Sequence, residues 1–129
     1  MNTATDLTPF ERAYVMAALW TFDDDAPSGE YSESGRFEEL FPLIAPETLA
    51  KMQAECTQFV ADNSLDICPG VSRNDERAGH DFWLTRNGHG SGFWEGDYWA
   101  KDVGARLTKA AQAFGSCDLY TGDDGRIYA

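Results

Sequence analysis

The sequence predicts an α+β domain in which helices pack against a small antiparallel sheet made of two hairpins. Three observations predict it. A chain of 129 residues suits a single domain. Apolar residues recur at helical spacing in three stretches, and two further stretches place strand-forming residues on either side of a glycine-rich turn. The expected order is ααββαββ, with residues 1–129 as one domain. The composition, 43% hydrophobic and 13% aromatic, supplies enough apolar area for a core.

The elements follow in chain order. Residues 1–7 read as a short arm. Thr8, Pro9 and Glu11 then form a capping signature, with Thr8 at N-cap, Pro9 at N1 and Glu11 at N3. Phe10, Tyr14, Ala17 and Ala18 continue at helical spacing, which predicts a helix over 9–21. Residues 23–36 read as an acidic loop, because Pro27, Gly29 and Gly35 break regular structure among Asp23, Asp24, Asp25, Glu30 and Glu33. Three consecutive aspartates do not make an EF-hand, whose carboxylates alternate. A second helix is expected over 46–62, from Pro46 and Glu47 at its start and the apolar face Leu49, Met52, Cys56, Phe59 and Val60. Asn63 reads as its C-cap.

Residues 80–95 are expected to form the first hairpin. Asn87-Gly88 is a strong turn signal between the aromatic runs Phe82-Trp83 and Phe93-Trp94. A loop over 87–90 sets Leu84 opposite Phe93 and Trp83 opposite Trp94, and is preferred to a two-residue loop that pairs Phe82 with Phe93. The third helix is expected over 98–114, with Asp97 at N-cap and Gly115 just past its end. The second hairpin is expected over 117–128, around Thr121-Gly122-Asp123-Asp124-Gly125. Leu49, Phe59, Leu84, Phe93, Leu107 and Phe114 are the expected core.

Charge narrows the function classes. The net charge is -12, and residues 1–66 hold 13 acids against 3 bases, giving -10. Direct contact with nucleic acid or an anionic membrane needs Lys and Arg to neutralise phosphate, so both are disfavoured. No apolar run approaches the roughly 20 residues that span a membrane. No apolar leader follows Met1, and Cys56, Cys68 and Cys117 are odd in number with no CxxC pair, so a cytoplasmic setting is expected.

No catalytic, metal or cofactor motif stands out, and none is expected. As a strand, residues 80–86 would point His80 and Asp81 to opposite faces, which argues against a His–Asp pair. Gly88, Gly90 and Gly92 connect strand to strand, whereas a phosphate cradle needs a helix behind it. The candidate binding residues are Asp23, Asp24, Asp25, Glu30 and Glu33 of the acidic loop, with Arg86 and His89 of the hairpin. They suit a non-enzymatic protein that engages a basic partner, such as a nucleic-acid-binding protein, through an acidic face. One alternative is a nucleic-acid-associated protein that uses Arg73, Arg77, Arg86 and the hairpin aromatics. A second is a small enzyme built around His80 or His89.

Three segments carry a resemblance: Thr8-Pro9-Phe10-Glu11-Arg12-Ala13-Tyr14, the run from Ala78-Gly79-His80-Asp81-Phe82-Trp83 to Asn87-Gly88-His89-Gly90, and Leu119-Tyr120-Thr121-Gly122-Asp123-Asp124-Gly125. The chain resembles, over most of its length, a family of small acidic proteins encoded by tailed bacteriophages and related mobile elements. The resemblance implies a phage accessory factor made in the bacterial host cytoplasm, which engages a host or phage protein. It transfers no catalytic or binding residues.

Overall fold

The computed structural model describes residues 7–22, 40–67, 75–88, 92–95, 99–117 and 119–129. Among them are four α-helices and one small antiparallel sheet: α1 (Pro9–Phe22), α2 (Pro46–Ile67), α3 (Asp75–Arg86), α4 (Lys101–Gln112), β1 (Tyr120–Thr121) and β2 (Ile127–Tyr128). Short 3-10 turns cover Phe41–Leu43 and Phe93–Glu95. The described residues are therefore mostly helical, with a two-stranded sheet near the C-terminus.

Helix α1 starts as its capping signature requires. The Glu11 backbone N–H donates to Thr8 Oγ1 at 3.2 Å, and the Thr8 N–H donates to Glu11 Oε1 at 3.1 Å. Helix α2 runs past the expected end at residue 62. Asn63 breaks its backbone geometry (φ -127°, ψ 22°) while its amide donates to Phe59 O at 2.9 Å, and the helix resumes to Ile67. Asn63 thus makes a kink in place of a C-cap. Helix α4 is shorter than expected and starts after Ala100 with no side-chain cap; Asp97 lies outside the described residues.

The expected hairpin over 80–95 does not form, because residues 75–86 are helix α3. The reason is burial on nearly every side. Ala78, Gly79 and Asp81–Arg86 are all buried, while Glu76, Arg77 and His80 in the first half are more open, so the second half of the helix has no polar face to give its sequence a 3.6-residue rhythm. Asn87-Gly88 still makes a turn, but one that ends a helix. Gly88 takes φ 70°, and the Asn87 amide donates to Trp83 O at 3.0 Å. Left-handed backbone suits both a hairpin turn and a helix C-terminus, so the dipeptide alone does not separate them. The expected pairings of Leu84 with Phe93 and Trp83 with Trp94 go with the hairpin, and the ααββαββ order goes with them.

The core is aromatic. Phe59 of α2 stacks on Phe82 of α3 with centroids 4.1 Å apart, and Tyr14 of α1 packs on Phe82 at 5.0 Å. Phe93 reaches the same cluster, 5.8 Å from Phe59 and 5.4 Å from Trp99. Offset and edge contacts of this kind add to the apolar area they bury. Leu49, Phe59, Leu84, Phe93 and Leu107 are buried as expected, while Phe114 is half-buried. Helix α1 crosses α3 at Gly79, where a Cβ would collide with the carbonyl oxygen of Phe10.

The expected second hairpin is present. Tyr120 pairs with Tyr128 and Thr121 with Ile127, antiparallel, around a turn in which Gly125 takes φ 82°. Ile127 is buried and also bridges Ile44, and the Ala45 N–H donates to Ile127 O at 2.9 Å. The sheet is therefore docked on the start of α2.

Candidate functional site

The sequence suggests Arg86 as a contact residue, but the structure withdraws it from the surface. Its side chain is 2% exposed. Nε donates to Gly115 O at 2.8 Å and Nη2 to Phe114 O at 3.1 Å, so the guanidinium caps the carbonyls beyond α4. Nη1 donates to Tyr14 Oη at 2.9 Å and to Glu55 Oε1 at 3.0 Å. The rings of Phe82 and Phe114 lie 5.7 and 5.6 Å from the guanidinium carbon. Burial pushes the Tyr14 phenol far above its ordinary range, although the Arg86 charge opposes the shift, so Tyr14 stays neutral.

His80 and Asp81 also differ from expectation. On a helix they meet: His80 Nδ1 lies 3.1 Å from Asp81 Oδ1. Asp81 is fully buried and accepts two more hydrogen bonds, from Arg77 Nε at 3.0 Å and from the Trp99 indole at 2.8 Å. Burial alone would raise its carboxyl. The hydrogen bonds from His80, Trp99 and Arg77 overcome that and hold it below the usual carboxylate range. The His80 side chain is 36% exposed. A carboxylate that orients an imidazole is one part of a general base. No group of three or more His, Cys, Asp or Glu among the described residues is arranged to hold a metal.

A groove of about 440 Å³ opens between the first turn of α1 and the middle of α2, lined by Pro9, Phe10, Cys56, Val60 and Ala61. Of its polar members, Thr8 and Glu11 hydrogen-bond one another. Burial, reinforced by the charges of Glu11 and Glu55, pushes the Cys56 thiol up, which leaves it an unreactive buried sulfhydryl.

Four of the described arginines are engaged with carboxylates. Arg77 serves Asp81, and Arg86 serves Glu55. Arg106 forms a two-pronged pair with Asp66 at 3.0 and 2.7 Å, and Arg126 lies 4.0 Å from Asp124. Asp23, Asp24, Asp25, Glu30, Glu33, Arg73 and His89 lie outside the described residues. Among the described residues, the large apolar side chains most open to solvent are Tyr120 at 55%, Trp94 at 54% and Leu43 at 44%. Sequence reasoning missed Tyr120 as a surface residue. The available signal was its register: Ile127 points inward, so Tyr128 and its cross-strand partner Tyr120 point outward.

Comparison with family models, curated proteins and solved structures finds no match. No helix among the described residues is long and apolar enough to cross a membrane.

Proposed function

We propose that this chain is a non-enzymatic binding protein that engages a basic protein through an acidic face. The observation that carries the reading is the internal use of Arg86 and Arg77. Both are held by buried or partly buried carboxylates, so two of the three arginines that a nucleic-acid reading requires are committed to the fold. The chain as a whole carries a net charge of -12, which repels phosphate and attracts cationic surfaces. In the setting that the phage resemblance implies, the partner is a host or phage protein in the bacterial cytoplasm.

The test is capture from a bacterial lysate, identification of the partner, and then kinetics at two salt concentrations. Neutralising Asp23, Asp24 and Asp25 together to Asn is expected to slow association and to flatten its salt dependence, without altering the fold. Tighter binding by the triple variant, or capture of a single-stranded oligonucleotide in preference to protein, would defeat the reading.

A further inference from the structure

The C-terminal hairpin carries a second feature that charge alone does not explain. Tyr120 and Tyr128 are cross-strand partners whose rings stack with centroids 5.8 Å apart and planes 25° apart. Ile127, one position away on β2, is buried, so the alternation of side chains turns the tyrosine pair outward. The pair is held in place: Tyr128 Oη donates to Asp124 Oδ2 at 2.7 Å, and Asp124 Oδ1 accepts from the Arg126 backbone N–H at 3.0 Å. That hydrogen bond pushes the Tyr128 phenol up, and the Glu47 charge at the start of α2 adds to the shift. An aromatic platform therefore stands beside Asp123, Asp124 and Glu47, opposed by Arg126 alone among these named charges.

We propose that the Tyr120–Tyr128 pair is a docking point for an arginine or lysine side chain of a basic peptide segment, its cation seated on the open face of Tyr120 beside the turn carboxylates. The inference rests on the acidic-face reading and names its contact. Charge complementarity selects the occupant: a ring face attracts cations through its quadrupole, and the neighbouring acids together with the -12 net charge favour the same sign. The hairpin arrives preorganised, since its turn is closed by the Gly122 N–H donating to Arg126 O at 2.8 Å and its inner face is anchored on Ile44.

The test titrates the full chain, followed by NMR, with a capped peptide of alternating glycine and arginine, its lysine counterpart and its glutamine counterpart. The cationic peptides are expected to bind and to shift the Tyr120 ring resonances. Tyr120→Ala is expected to weaken binding about two- to five-fold, the size of one exposed cation–π contact. Trp94→Ala, which removes an equally exposed aromatic elsewhere, is the control and is expected to bind as the parent does. If the cationic peptides bind but Tyr120→Ala changes nothing, or the glutamine peptide binds equally well, the docking point is overturned and the acidic-face reading survives. If no cationic peptide binds the parent, both fall.

Discussion

Helix α3 buries two opposite charges five positions apart, Asp81 and Arg86, and the fold holds them in different ways. Two of the donors to Asp81 come from its own helix, Arg77 four residues earlier and His80 directly before it, and Trp99 supplies the third. The acceptors of Arg86 lie 28 to 72 positions away, on α1, on α2 and beyond the end of α4. Asp81 mainly fixes one helix and its next neighbour. Arg86 ties three other parts of the chain to a single guanidinium, whose planar fork can serve several acceptors at once. The difference teaches that burial and charge alone do not rank these groups. What ranks them is how many independent elements come apart when each is removed.

The largest expected effect is therefore at Arg86. Arg86→Ala leaves Glu55 and two backbone carbonyls without their donor, and should cost about 3–5 kcal/mol by chemical denaturation, the usual penalty for stranding half of a buried pair. Arg86→Lys keeps the charge but loses the fork, and should recover only part of the loss. Recovery to the parent stability would show that charge, and not the branching geometry, is what Arg86 supplies.

A smaller loss is expected at Asp81. Asp81→Asn still accepts from Trp99 but removes the negative charge that pairs with Arg77, and should cost about 1–3 kcal/mol. The pH dependence sharpens this. The folded carboxyl lies below its unfolded value of about 3.9, so its contribution is fully present above about pH 4 and is lost as the pH falls through the folded value. Melting curves recorded by circular dichroism from pH 6 to pH 2 should fall less steeply in Asp81→Asn. An unchanged acid limb would mean that the carboxylate is not the group that senses acid.

The smallest effect is expected at the exposed counterpart, the Arg106–Asp66 pair. Its geometry is two-pronged, and the hydrogen bond from Arg106 holds the Asp66 carboxyl down, yet Arg106 stands in solvent. Asp66→Asn should leave the thermal midpoint essentially unchanged, because water screens the pair and both side chains lose freedom by forming it. A loss comparable with that of Asp81→Asn would undo the ranking by connectivity.

What the sequence determined by itself is local. The Thr8–Glu11 capping box, the amphipathic faces of α2 and α4, the αL glycine at Gly115 and the Tyr120–Tyr128 hairpin each depend on residues a few positions apart, and each is legible as such. The acidic balance is legible in the same way, since it is a sum over residues. Helix α3 was decided only by tertiary structure. Its Phe82-Trp83-Leu84 run and its Asn87-Gly88 end fit a strand and a turn equally well. The choice went to a helix because neighbours from α1, α2, α4 and the Phe93 turn cover it on nearly all sides and satisfy Asp81, Thr85 and Arg86 within the core. The places of Arg86 and of His80 beside Asp81 follow from that packing. A buried polar side chain is recognisable only by its partners, and those of Arg86 lie too far along the chain for any local pattern to register them.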